Sequence, residues 1–393
     1  MQPFIRIPEG DPSTSSRLVA GEAPNGKRIV SVVFGMSFDV ARDGKCSATG
    51  YEIAEDYVFA KVRTTAKHTK PSILLRDTDL YAWRNFTDVV VQGVARSDKP
   101  VRELEVELSV ERAKLARKLH VTGDRYVDRA GGRLVASEPE PFTEMVLGYE
   151  NAYGGTDEEA EDHQGSRALL DFFTKSLDKE ENEELSIYSY PRNPAGKGYL
   201  VHEVGAVGTP LPNLEFEGDR LRLSELVKPQ EHWGERPYPA CFDWFSHAWF
   251  PRSGYLDDFP ATHDGKLPLA ERALGLFESD YESKPPIERA KHGYANGAHP
   301  YLARERLEGR EKIRVTRTSL DGRDFVAELP GLEPSVSLKL VGEGKVKLPG
   351  SLDLVLLDTE AETLTLVYRA THFRAAEHLP YDWIEKTEYR VDW

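Results

Sequence analysis

Carboxyl and imidazole groups in the middle of the chain are the side chains whose types could support catalysis. Glu150 together with Asp243 or His247 would supply the pair of titratable groups that a hydrolase or a carbohydrate-active enzyme requires. The GxSxG elbow, the HExxH helix and the phosphate-binding loop do not occur in the sequence. We therefore predict no catalytic residues and keep a hydrolase as an alternative function.

Acidic and histidine side chains also raise the question of a metal site. One acidic cluster follows a pair of glycines: Asp157, Glu158, Glu159, Glu161 and Asp162. It lacks the spacing of an EF-hand, and acidic loop residues are most often simply solvated. A second group lies among aromatic residues: His232, His247, His263, Asp243, Asp257 and Asp258. Its spacings match no zinc motif, so we predict neither a metal site nor a cofactor.

The overall charge of the chain indicates which classes of partner it is suited to bind. The chain has 51 Lys and Arg against 66 Asp and Glu, a formal net charge of −15. Such a surface repels phosphate backbones and anionic lipids, so we expect neither a nucleic-acid nor a membrane partner. No apolar stretch reaches the length of a membrane span and no secretory signal is visible, while Cys46 and Cys241 lie too far apart for a metal motif. These features favour a cytoplasmic protein.

The elements that must position these residues are predicted to be mainly strands. After an N-terminal extension of residues 1–25, the region 26–155 contains two β-branched runs, Ile29 to Val40 and Phe86 to Ala95. From Leu104 to Val110, apolar and polar residues alternate with the period of two that marks a strand with one buried face. A following strand at Arg117 to Val121 is expected to pair with it.

The C-terminal region, residues 301–393, has the same character. Five short strand candidates are separated by turns rich in Gly, Pro or Asp: Lys312 to Thr316, Phe325 to Leu329, Ser335 to Val341, Leu352 to Leu357 and Thr363 to Arg369. This spacing is typical of an antiparallel, sandwich-like arrangement and not of βαβ units.

The middle, residues 156–300, differs from both. Ser166 to Leu185 and Leu267 to Phe277 have helical periodicity, whereas Tyr188 to Pro260 is rich in Pro, Gly and aromatic residues without a regular period. We predict a mainly β (α+β) fold with two antiparallel sheet-rich regions joined by an irregular, partly helical middle.

Several phrases in the sequence stand out as possible binding motifs. They contribute Glu150, Asn151, Tyr153, Gly154 and Gly155, then Arg192, Asn193, Pro194, Gly196 and Gly198, and later Asn213, Trp249 and Arg252. The adjacent glycines at 154 and 155 are suited to positive φ and to close backbone approach. Glu150 is expected to accept backbone N–H groups or to pair with Arg192 or Arg252.

The order of these phrases, from about Gly26 to Arg369, resembles the bacterial family of unknown function DUF2169. Members of this family are encoded beside spike proteins and effectors of type VI secretion systems. The resemblance implies one family domain that acts as a non-enzymatic adaptor or chaperone and helps load an effector onto the spike. The segment that follows Arg252 departs from the family pattern, either because it contacts a particular cargo or because it has drifted.

Aromatic residues of the middle are our candidate partner-binding surface, since Trp and Tyr dominate interface hot spots. They are Trp233, Tyr238, Phe242, Trp244, Phe245, Trp249, Phe250, Tyr255 and Phe259. An ordinary aromatic core is the competing interpretation, and the glycine-rich motifs would then only hold the middle against the sheets. Exposed sheet edges offer another mode of capture, by strand addition. A structural component of an injection machine and a sugar-binding module also remain alternatives.

Overall fold

Strands account for most of the regular structure in the computed structural model, which describes residues 16–22, 28–62, 72–161, 189–228, 230–250, 252, 295–303, 306–374 and 386–393. Among these residues the strands are β1 Ser16–Glu22, β2 Arg28–Val40, β3 Cys46–Thr49, β4 Val58–Lys61, β5 Ser72–Arg76, β6 Asp88–Gln92, β7 Val94–Val101, β8 Glu103–Val110, β9 Leu115–Thr122, β10 Val127–Ala130, β11 Arg133–Ala136, β12 Phe142–Val146, β13 Tyr153–Gly154, β14 Lys197–Gly198, β15 Leu214–Phe216, β16 Lys312–Val315, β17 Phe325–Glu328, β18 Ser335–Leu340, β19 Gly344–Pro349, β20 Ser351–Asp358, β21 Thr363–Phe373 and β22 Glu388–Asp392. Helical structure there is limited to α1 Glu158–Glu161 and to 3-10 turns at Tyr149–Asn151, Leu223–Glu225 and Gln230–Glu235. The predicted mainly β fold is confirmed.

The larger sheet combines strands from both ends of the chain. Its order is β1-β2-β21-β20-β6, and β3 also pairs with β2. All pairs are antiparallel except β20 with β6, which run parallel. The long strand β2 has mostly buried residues and pairs with β21 from Ile29 opposite Phe373 to Asp39 opposite Thr363. The predicted strands at Ile29 to Val40 and Thr363 to Arg369 are therefore confirmed, and the structure shows that they are neighbours in one sheet.

A second, five-stranded sheet has the order β15-β9-β8-β16-β17. In β8 the alternation predicted from the sequence is present, since Val106, Leu108 and Val110 are buried. β9 pairs with β8 in antiparallel orientation, as predicted, and β16 pairs with the other edge of β8. One continuous hydrophobic cluster contains buried residues of both sheets.

Smaller sheets complete the fold. β18 lies between β19 and β22, while β4 pairs with β5, β7 with β12, β10 with β11 and β13 with β14. The five predicted C-terminal strands are confirmed as β16, β17, β18, β20 and β21. No helix in the part of the chain described here is long and apolar enough to cross a bilayer. The predicted helices at Ser166 to Leu185 and Leu267 to Phe277 lie outside the described residues.

The predicted β-branched run from Phe86 to Ala95 lies mostly in strands, and the chain divides there at Gly93 into β6 and β7. A Cβ atom at Gly93 would overlap Oγ1 of Thr359, and the Gly93 carbonyl accepts a hydrogen bond from the Leu147 N–H at 3.0 Å. Close backbone contact thus ends β6 in the larger sheet and directs β7 towards β12.

Candidate functional site

The two glycine-containing motifs meet in the fold. β13 and β14 run parallel, with Tyr153 opposite Lys197 and Gly154 opposite Gly198. The Tyr199 N–H donates to the Gly154 carbonyl at 2.9 Å. The structure thus brings together two predicted segments that are about 40 residues apart in the sequence.

Glycine is required where these backbones cross. Gly154 and Gly155 have φ values of 151° and 96°. A Cβ atom at Gly154 would overlap the Asn193 carbonyl oxygen, and one at Gly196 would lie 2.5 Å from the Ala152 carbonyl oxygen. Both features predicted for the glycine pair, positive φ and close backbone approach, are present.

The Arg-Asn-Pro segment is buried beneath this crossing. The Asn193 amide donates to the carbonyls of Tyr149 at 2.8 Å and Tyr153 at 3.1 Å. The Arg192 guanidinium lies 3.9 Å from the centre of the Tyr238 ring, and Arg192, Asn193 and Pro194 are all buried. Hydrogen bonds and cation–π contact therefore hold this segment in place.

A polar network connects the motif to the second sheet. The Lys197 ammonium donates to the side-chain oxygens of Asn151 at 2.9 Å and Asn213 at 2.7 Å. The Asn213 amide in turn donates to Asp124 at 3.0 Å. Burial lowers the pKa of Lys197. Asn151 and Asn213, two of the predicted motif positions, thus both bind Lys197, which lies between the motif glycines at 196 and 198.

Arg252 takes a different partner from the one predicted. It pairs with the buried carboxylate of Asp77 at 2.8 Å and also donates to the Tyr81 hydroxyl at 3.1 Å. The expected pairing of Glu150 with Arg192 or Arg252 is wrong, because Lys197 is the cation that acts on the Glu150 carboxyl. Sequence reasoning missed Asp77 since it lies in a short polar turn without a recognisable motif.

Glu150 and Asp243 interact electrostatically. Burial raises the pKa of both carboxyl groups, that of Asp243 to about 8. The nearby Glu150 carboxylate adds to the increase at Asp243, while the Trp244 N–H and the Gln92 amide oppose it. His247 stacks instead on Tyr57, with ring centroids 4.1 Å apart. Burial is the first cause of both increases in pKa, and the effect of Glu150 on Asp243 is a smaller one.

Most of the candidate interface aromatics are core residues. Six are buried: Trp233, Phe242, Trp244, Phe245, Trp249 and Phe250. Trp249, for example, packs edge-on against Tyr149 at 5.3 Å between ring centroids. Tyr238 is half-buried, and Tyr255 and Phe259 lie outside the described residues. The buried rings stabilise the irregular middle and do not offer their faces to a partner.

The acidic loop is organised by backbone groups. The Asp157 carboxylate accepts N–H groups of Ala160 at 3.2 Å, Val201 at 2.8 Å and His202 at 3.1 Å. Within the described ranges, no three His, Cys, Asp or Glu side chains are grouped to hold a metal ion. The other candidates fall wholly or by their side chains outside those ranges: Glu158, Glu161, Asp162, His232, Asp257, Asp258 and His263.

A set of exposed apolar side chains on β4, β5 and β12 was not predicted. Its exposed side chains are Val58 (49%), Phe59 (42%), Leu75 (38%) and Val146 (49%). Val58 and Phe59 lie on β4, which pairs with β5, the strand that contains Leu75. The Gln92 amide donates to the Leu75 carbonyl at 2.9 Å and also bonds to Asp243. We call these four side chains, together with Glu150 and Asp243, the β12 surface.

A buried cysteine links Asp243 to the end of β12. The Asp243 N–H donates to Sγ of Cys241 at 3.4 Å, and this thiol donates to the Leu147 carbonyl at 3.0 Å, directly after β12. Asn151 fixes the end of β12 by donating to the Val146 carbonyl at 3.0 Å.

A separate cleft of about 450 Å³ is lined by residues from Gly218 to Pro237. Some of its charged side chains pair with one another, as Lys228 does with Glu225 at 3.4 Å and Glu235 at 3.1 Å. None of the predicted site residues lines this cleft.

Comparison with known proteins gives a family match. The sequence model of the family described as "Uncharacterized protein conserved in bacteria (DUF2169)" matches residues 25–369. No curated protein and no solved structure matches the chain.

Proposed function

We propose that this chain, which belongs to the bacterial DUF2169 family, is a noncovalent adaptor or chaperone for a type VI secretion effector or spike-tip protein. The observation that carries this proposal is the β12 surface. It combines an edge strand with exposed apolar side chains, the two features that capture of an extended polypeptide requires.

β12 has the character of an open edge. Among the described residues, β7 is the only strand that pairs with it. Thr143, Glu144 and Val146 are exposed, so the strand is accessible along most of its length. Proteins usually protect such edges, and an exposed one is a template for pairing with another chain.

Apolar contact alone would not hold a partner here. Four half-exposed side chains contribute about 1 kcal/mol each when they are covered. Association costs at least about 4 kcal/mol in lost translational and rotational freedom. Backbone pairing along β12 must therefore contribute, which favours an extended segment of the partner over a flat protein surface.

The buried motifs support this role because their hydrogen bonds order β12 before a partner binds. The Leu147 N–H donates to the Gly93 carbonyl, and Asn151 holds the Val146 carbonyl. A strand that is already ordered loses little conformational entropy when a partner binds. Glu150, Asn151 and the glycine crossing then act by positioning β12.

Co-expression with each neighbouring effector and spike-tip protein tests the proposal. We expect one of them to co-purify with the tagged chain and to gain solubility. Val146→Asp should weaken this association, because it places a charge in the apolar contact. Val207→Asp is the matched control, since Val207 is similarly exposed (52%) but is not part of the β12 surface. Failure of every candidate to co-purify, or equal loss in both variants, would refute the proposal.

A hydrolase remains the second candidate because Glu150 and Asp243 interact and both have raised pKa values. Turnover of a glycoside or ester that disappears in a folded Glu150→Gln protein would favour it. An adaptor should show no such turnover in either form.

A further inference from the structure

The cleft lined by residues 218 to 237 is formed by two segments of the irregular middle. One wall lies between Gly218 and Arg222, and the other lies between Glu225 and Pro237. The Tyr238 N–H donates to the Asp219 carboxylate at 3.0 Å, which joins the two segments. The volume of about 450 Å³ is in the range of sites that bind small molecules.

The carboxylates that line the cleft, as far as the structure describes it, have partners within the protein. The Lys228 ammonium lies 3.4 Å from the Glu225 carboxylate and 3.1 Å from that of Glu235. Arg222 lies 3.7 Å from Glu225. The Asp219 carboxylate accepts the N–H group that joins the walls. Three negative charges of the lining are thus already bound to donors of the chain.

Arg236, in contrast, is a buried cation without a carboxylate partner. It lines the cleft and is only 4% exposed. Its guanidinium donates to the carbonyls of Leu200, Leu226 and Lys228 at 2.7, 2.6 and 2.7 Å, and to the Tyr153 hydroxyl at 3.2 Å. Within the described ranges it forms no ion pair, and its Nε atom has no acceptor. Since all of these acceptors are neutral, the wall of the cleft keeps one uncompensated positive charge.

Arg220 is a second cation of the cleft without a counter-ion. It lines the cleft and is exposed, and no hydrogen bond or ion pair joins its side chain to any residue that the structure describes. Its guanidinium is therefore available to contact a ligand directly. Arg236 does not have to touch the ligand, because a charge in a partly enclosed wall attracts an anion over several ångströms with little screening.

We propose that this cleft binds a small molecule with one carboxylate and several hydroxyl groups, which is the chemistry of a sugar acid. The carboxylate contacts Arg220 in the field of Arg236, since a guanidinium matches the planar geometry of a carboxylate. The described lining has four cations and three carboxylates, so one negative charge balances it and a phosphate dianion exceeds it. The lining carboxylates have further lone pairs that accept hydroxyl donors of the ligand. This inference goes beyond the adaptor function and does not depend on it.

Calorimetric titration of the full chain with glucuronate tests the proposal. Glucose is the control without a carboxylate, and glucose 6-phosphate is the control with a second negative charge. We expect one glucuronate to bind per chain, at least about tenfold more tightly than either control, as for one hydrogen-bonded charge pair. Higher salt should weaken the binding of glucuronate. No binding at millimolar glucuronate, or equal affinity for a control sugar, would overturn the inference.

The variant Arg220→Gln tests the contact with the carboxylate. It should bind glucuronate about tenfold more weakly than wild type, because glutamine cannot form the charged hydrogen bonds. Arg112→Gln is the matched control, since Arg112 is also exposed but lies on the turn between β8 and β9, outside the cleft. Affinities that are unchanged in Arg220→Gln, or lowered equally in both variants, would contradict the assignment.

Chemical labelling gives a measurement that needs no variant. Phenylglyoxal modifies accessible guanidinium groups, and mass spectrometry quantifies the modification at each arginine. Glucuronate should protect Arg220 and leave the labelling of Arg112 unchanged. Labelling of Arg220 that is the same with and without glucuronate would exclude the proposed contact, and the adaptor function would be unaffected.

Discussion

Replacement of Asp243 by Asn should stabilise the protein at neutral and alkaline pH. Burial raises the pKa of this carboxyl from an ordinary value of 3.8 to about 8 in the folded protein. In the unfolded chain the group regains its ordinary pKa. Between these two values the folded protein therefore holds one more proton than the unfolded chain, and the free energy of unfolding decreases as the pH rises.

The size of the change in the free energy of unfolding follows from the pH range between the two pKa values of Asp243. A complete difference of one proton changes the free energy of unfolding by about 1.4 kcal/mol per pH unit. Over roughly four pH units the upper limit is about 6 kcal/mol. Because Asp243 is only half-buried, water screens part of the charge, and we expect about 2–3 kcal/mol.

Urea denaturation of wild type and Asp243→Asn across this range measures the difference. The two proteins should have similar stability near about pH 2 to 3, where the carboxyl is mostly protonated in both the folded and the unfolded chain. Asp243→Asn should become progressively the more stable protein up to about pH 8 to 9, because asparagine never ionises. Parallel pH profiles for the two proteins would refute the reasoning. Glu111→Gln, at an exposed acidic position on the β8–β9 turn, should follow wild type throughout.

Two further substitutions test the buried motif. Asn193→Ala removes the donors to the Tyr149 and Tyr153 carbonyls and should lower the free energy of unfolding by about 2 kcal/mol in urea denaturation; an unchanged midpoint would contradict this role. Arg252→Met leaves the buried Asp77 carboxylate without its cation and should cost about 3–5 kcal/mol in a thermal or urea melt. Adding Asp77→Asn to Arg252→Met should restore part of that loss, and additive losses would argue against the ion pair.

Local patterns predicted many strands but not their partners. The alternation in β8 and the turn-bounded runs of the C-terminal region depend on neighbouring residues, so they can be recognised in sequence. That β2 pairs with β21, and β8 with β16, depends on how two sheets share one core. No local pattern carries that information.

The candidate site likewise combines features that the sequence predicts with features that only the fold determines. Positive φ at Gly154 and Gly155 follows from residue type, whereas the Arg252–Asp77 pair joins positions 175 residues apart. Trp244 and Trp249 illustrate a further limit, because composition does not distinguish a buried ring from an interface ring. Exposure at Val146 depends on which strands cover β12, and only the fold reveals it.

The long-range pairing of β2 has a consequence for synthesis on the ribosome. β2 emerges more than 300 residues before β21, the strand that fills its second edge. During that interval a nascent chain presents an apolar strand of 13 residues, which is an aggregation hazard. The nascent chain would thus need protection from aggregation until translation has passed residue 373.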